Sequence, residues 1–166
     1  MKKLLIPVDG SPQSLEAVRL ALRDDRQAID RIDLVNVQPL VNRHISRWLT
    51  RGQRDGWRRS RSEAALAPAA RMLANAGVAW RSHAIAGPVA PGIALAAREL
   101  QSDEIVMAAT RRSLLGRLLA GSVSPQVIAA AGVPVRVVPT NPAPFYERLA
   151  LPAGLGLIAL WFMVEE

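Results

Sequence analysis

Apolar residues fall along this chain in short continuous runs separated by longer stretches of helical periodicity. Lys3 to Val8 (KLLIPV) is too continuously apolar for a strand with one wet face and predicts a parallel strand covered on both sides. Ser11-Pro12 follows as a helix N-cap and first-turn proline, and Leu15, Val18, Ala21 and Leu22 then share one helical face. Ile32 to Val37 is a second strand. A helix is expected from about Ser60 to Ala76, closed by Gly77, with Pro68 bending it or marking its start. Val78 to Ile85 alternates, placing Arg81 and His83 on the face opposite Trp80, as an edge strand would. Val89 to Leu100 reads as a helix, Asp103 to Ala109 as a buried strand, Ser124 to Ala131 as a short helix and Val133 to Val138 as the last strand. Five strands separated by helices predict an α/β fold, a three-layer sandwich around a five-stranded parallel sheet of Rossmann-like type.

Composition narrows the picture. A chain of 166 residues, half of them apolar, supplies one well-buried domain and an appendage. The net charge is +7, and of the 21 basic residues only Lys2 and Lys3 are lysines, which draws the protein to phosphates, acidic partners or anionic surfaces without choosing among them. The absence of cysteine removes disulfides, thiolate nucleophiles and zinc-thiolate sites. Met1-Lys2-Lys3 runs straight into a strand without a signal-peptide pattern, so a cytoplasmic location is expected.

In open sheets of this kind ligands sit beyond the carboxyl ends of strands where the winding reverses. Pro7-Val8-Asp9-Gly10-Ser11 offers a carboxylate at one such end. "MAATRRSLLGRLLAGSVS", residues 107 to 124, leads from another into a helix whose first N–H groups, with the Ser122 and Ser124 hydroxyls, would receive an anion.

Those two motifs, with Asn36-Val37 after an apolar strand, Gly87 with Ile93 six residues on, and Ile105-Val106-Met107 through Gly121-Ser122-Val123-Ser124 to Pro134-Val135, resemble the universal stress protein family over about residues 1 to 139. The resemblance implies a small cytoplasmic α/β protein, a homodimer through Val133 to Val138, and for one branch ATP binding by a loop of the form Gly, two residues, Gly, nine residues, Gly-Ser/Thr. It implies that Pro7, Val8, Asp9 and Val37 surround the base and ribose of ATP, ADP or AMP, that Met107, Ala108 and Arg111 line the loop, and that Gly121, Ser122, Val123 and Ser124 take the phosphates. The loop spacing is intact, but Ala108 and Arg111 stand where that branch has its first two glycines. The Ala108 methyl is tolerable if φ there is negative, whereas Arg111 either fills the phosphate site or clamps a phosphate as a bidentate donor.

The other candidates have plainer readings beside them. Asp9 would also serve simply by accepting N–H bonds at the strand end, and Gly10 by permitting a tight backbone. His44 and His83 are isolated in sequence, which argues against metal or general-base roles, and no residue presents itself as a catalytic group, so at most a slow ATPase is expected. In residues 43 to 61 an arginine stripe (Arg43, Arg47, Arg51, Arg54, Arg58, Arg61) with Ile45, Trp48, Leu49 and Trp57 suits an anionic surface or a solvated helix and loop. Gly52 and Gly56 weaken its continuity, and no base-reading motif makes it a sequence-specific DNA binder.

Residues 140 to 148 read as a linker and 149 to 166 as an apolar tail. Leu149 to Val164 holds no charge, and as a helix it would extend about 24 Å, short of the roughly 30 Å of a hydrocarbon core. The roles open to it are a shallow membrane anchor at the inner face, a helix docked on a membrane-protein partner, or a segment packed on its own domain or on its dimer mate. An adaptor that has lost nucleotide binding and works through the tail and basic stretch is the competing function.

Overall fold

The computed structural model describes residues 1–23, 26–39, 51–110 and 123–140. Its elements are β1 (Lys2–Pro7), α1 (Pro12–Arg23), a 3-10 turn (Arg26–Ala28), β2 (Ile29–Gln38), α2 (Arg51–Ala76), β3 (Trp80–Ala86), α3 (Val89–Glu99), β4 (Glu104–Thr110), α4 (Val123–Ala130) and β5 (Val135–Thr140). All five strands are parallel, in the order β3-β2-β1-β4-β5. The expected α/β class is present, β3 lies at one edge of the sheet as its alternating pattern predicts, and β5 lies at the other.

The continuous apolar runs are explained by two cores, one on each face of the sheet. Leu4, Ile6, Val8, Ile32, Leu34 and Val106 pack against Ala17, Val18 and Ala21 of α1 and Leu66, Ala69 and Leu73 of α2. The intervening residues Leu5, Val35, Ile105 and Met107 point the other way, against Ala90, Ile93 and Ala97 of α3 and Val127 of α4. Successive side chains of one strand thus enter different cores, each large one contributing roughly 1.5–3 kcal/mol by leaving water.

Local signals place most element ends. Ser11 caps α1, its hydroxyl accepting the Ser14 N–H at 3.2 Å. Gly77, at φ +67°, ends α2: its N–H donates to the Ala74 carbonyl and that of Val78 to the Leu73 carbonyl, the paired bonds of a Schellman closure.

Four elements differ from the sequence reading by two residues or more at an end. Helix α2 begins at Arg51 rather than near Ser60 and passes through Gly52, Gly56 and Pro68 without a break. Leu66, Ala69 and Leu73, on both sides of the proline, are buried in one core, and that packing outweighs the hydrogen bond Pro68 cannot donate. Strand β2 starts three residues early, at Ile29, because its register with Lys2 extends the ladder. Strand β3 starts at Trp80 instead of Val78, whose N–H is committed to closing α2. Strand β5 runs from Val135 to Thr140, so Thr140 belongs to the sheet, paired with Thr110, and not to the linker. Among the described residues no helix is long and apolar enough to cross a membrane, and the tail 149–166 lies outside them.

Candidate functional site

The sheet order reverses between β1 and β4, and the paired register joins the middle of β1 to the start of β4, Leu4 with Glu104 and Leu5 with Ile105. The paired register ends there, and the carboxyl ends carrying Pro7-Val8-Asp9 and Met107-Ala108 flank the reversal point, where open sheets of this kind bind their ligands. The sequence reading placed its two candidate motifs at these strand ends, and the topology makes them neighbours.

Asp9 is exposed at the carboxyl end of β1. Its Oδ1 accepts the Ser11 N–H at 2.9 Å and the Ser11 hydroxyl at 2.6 Å. Partial burial pushes this carboxyl up, but the bonds from the Ser11 side chain and backbone, with a further one from Ser14, outweigh it and leave the group below its ordinary value. Asp9 is therefore an ionised, oriented acceptor, suited to hydroxyl or amine donors of a ligand. Behind it Gly10, at φ +84°, comes so near α2 that an added Cβ would lie 3.2 Å from the Ala65 Cα. Gly10 thus has the backbone role expected of it, lowering the Asp9 loop onto α2.

Val8 is buried in the core under α1 and α2, and Met107 in the core under α3 and α4. Val37, packed against that second core, is pressed by Gly92 of α3, where an added Cβ would sit 3.0 Å from Val37 Cγ1. Ala108 lies in regular strand β4, paired with Val138, and the positive φ found at Gln101 among non-glycine described residues does not extend to it. Its methyl therefore carries no left-handed strain. Val123 and Ser124 form the first turn of α4, with Ser124 buried. Arg111, Gly121 and Ser122 lie outside the described residues.

Two features were missed from sequence. Asn36, buried on β2, donates from Nδ2 to the Val8 carbonyl at 2.6 Å, while its Oδ1 accepts Gln38 Nε2 at 2.7 Å and the Ser62 hydroxyl at 2.9 Å. It ties β2 and α2 to the residue preceding Asp9. His83, isolated in sequence, lies with Nε2 2.9 Å from Oδ1 of buried Asp33, whose Oδ2 accepts Arg31 Nε at 2.9 Å. Two polar residues inside the strand IDLVNV were the available signal, since each must find partners once buried. Among the described residues no group of three or more His, Asp or Glu could hold a metal ion.

On the arginine stripe, Arg58 pairs with Asp55 at 2.6 Å and the Arg61 guanidinium lies 5.2 Å from the ring centroid of Trp57, which is 52% exposed. Arg43 and Arg47 fall outside the described residues.

Comparison with known proteins agrees with this fold. The sequence pattern of the universal stress protein family matches residues 1–139. Universal stress protein MJ0531 of Methanocaldococcus jannaschii is 32% identical over 147 residues, covering 82% of this chain and 81% of that protein. The solved structure of hypothetical protein MJ0577 superposes with a TM-score of 0.70 at 21% identity, covering 86% of this chain and 98% of that one. A universal stress protein family protein of Arabidopsis thaliana, At3g01520, solved with AMP bound, superposes with a TM-score of 0.61 at 16% identity over 85% and 93% of the two chains.

Proposed function

This chain belongs to the universal stress protein family, and from that premise we propose that it is a regulatory or stress-response protein that acts by binding an adenine nucleotide, ATP, ADP or AMP, in the crevice between β1 and β4. The observation that carries the reading is the early end of the paired β1–β4 register, which leaves Asp9 and Met107-Ala108 flanking the reversal point. The AMP held by the Arabidopsis relative supports the same ligand class here.

In this reading Pro7, Val8, Asp9 and Val37 surround base and ribose, with the ionised Asp9 accepting from ribose hydroxyls. Met107 and Ala108 form the opposite wall. Gly121, Ser122, Val123 and Ser124 receive phosphate at the N-terminus of α4, and Arg111 stands beside them. Binding is the activity proposed for this site. The open edge of β5 takes a second copy through Val133 to Val138, giving a cytoplasmic homodimer.

Calorimetry with AMP and ATP tests the site. The wild-type protein is expected to bind, and Asp9→Ala to weaken binding about tenfold through loss of a charge-assisted hydrogen bond while melting within a few degrees of wild type. No heat with either nucleotide at millimolar concentration overturns the reading. Light scattering that finds only monomer over the micromolar range overturns the dimer.

A further inference from the structure

Helix α2 is 26 residues long, roughly 39 Å, and its amino-terminal turns reach the carboxyl rim of β2 and β3. There Asp55, Arg58, Arg59 and Ser62 of α2 close over Gln38, Ala84 and Ala86 to form an open cleft of about 230 Å³. Gln38, Ala84 and Ala86 share the α2 side of the sheet with Leu34 and Asn36, and Ile85, which also lines the cleft, packs with Val37 in the layer of α3 and α4. The cleft is centred on the carboxyl rim of β2 and β3, away from the reversal between β1 and β4.

Its chemistry is cationic. Arg58 is neutralised by Asp55, but Arg59 has no hydrogen bond or ion pair among the described residues, so the walls carry one uncompensated positive charge. Gln38 and Ser62 add an amide and a hydroxyl that are already held in place by Asn36. The cleft is open to solvent and its accessible space of about 230 Å³ has room for a small phosphate-bearing anion.

We propose that this cleft is a second ligand site, for a small phosphate-bearing anion held by Arg59 with Gln38 and Ser62, and that it communicates with the Asp9 loop through Asn36. The path is short and fully hydrogen-bonded: Gln38 and Ser62 to Asn36 Oδ1, then Asn36 Nδ2 to the Val8 carbonyl. An anion that draws the Gln38 amide or the Ser62 hydroxyl toward itself loosens their hold on Asn36 and so shifts the carbonyl next to Asp9. The site itself stands whether or not the crevice takes a nucleotide, and only the communication involves both.

The test is calorimetry of the full-length protein with inorganic pyrophosphate, combined with amide NMR. Wild type is expected to bind, Arg59→Gln to weaken that binding about tenfold without changing affinity for AMP, and Asp9→Ala to leave it unchanged. The Val8 and Asp9 amide signals are expected to move with pyrophosphate in wild type and to stay put in Gln38→Leu. No heat up to about 10 mM pyrophosphate, or equal binding by Arg59→Gln, overturns the site. Binding without movement of the Val8 and Asp9 signals overturns the communication. If AMP fails to bind while pyrophosphate still depends on Arg59, the nucleotide reading falls and the second site stands.

Discussion

His83 Nε2 lies 2.9 Å from Oδ1 of Asp33, a residue with 0% exposure whose other oxygen accepts Arg31 Nε at 2.9 Å. One buried carboxylate thus binds the edge strand β3 to β2 and faces a permanent cation on its own strand. Half-exposed His83 and Arg31 reach water, but Asp33 does not, so the three residues are unequal under mutation. Arg31→Met strands the buried charge and is expected to cost about 3 kcal/mol. Asp33→Asn, which keeps the shape and removes the charge, is expected to cost less. Urea denaturation of the two variants measures the order, and a larger loss for Asp33→Asn contradicts it.

Gly10 combines a left-handed φ of +84° with a close approach to α2. Gly10→Ala incurs the left-handed cost of roughly 1–2 kcal/mol and also pushes against the Ala65 backbone. A fall in melting temperature of several degrees is expected, accompanied by weaker nucleotide binding, because the Asp9 loop rides on this contact. Thermal melts with and without AMP separate the two effects.

Burial raises the Asp9 carboxyl, and the bonds from Ser11 and Ser14 lower it further than burial raises it. Since the folded value is depressed, the stabilisation is fully present above the unfolded-state value and is lost as pH falls through the folded one. Carboxyl NMR titration is expected to place the Asp9 midpoint below 3.8, and Ser11→Ala to move it upward. A midpoint that ignores Ser11→Ala removes the assigned cause.

Gly92 presses on Val37 at a distance where any Cβ would reach 3.0 Å from Val37 Cγ1. Gly92→Ala gains about 1 kcal/mol of helix propensity but displaces Val37, a proposed wall of the base site. Stability is expected to change little while AMP affinity falls several-fold. Unchanged affinity by calorimetry takes Val37 out of the site.

Arg111 stands where an ATP-binding branch of the family has glycine, and its two roles predict opposite signs. If it blocks the phosphate position, Arg111→Gly strengthens ATP binding; if it clamps phosphate, the same change weakens it by about 1–3 kcal/mol. ATP calorimetry on the two proteins decides between them, and equal affinities remove Arg111 from the site.

By itself the sequence determined the layers. Doubly covered strands read as near-continuous apolar runs, and LLIPV and IVMAA advertise that without any partner in view. Caps and closing turns were legible for the same reason: Ser11, Pro12 and Gly77 act on backbone groups within a few residues of themselves. Helix α2 was only half legible, because Gly52, Gly56 and Pro68 each oppose a helix locally, and its true length depends on packing against a sheet not yet formed. The pairing of His83 with Asp33, fifty positions apart, and the anchoring of Val8 by Asn36 were decided by the β1–β2–β3 register alone. Sequence spacing encodes which face a strand residue takes; only the assembled sheet fixes which distant residue shares that face, and buried polar groups are where that choice turns into chemistry.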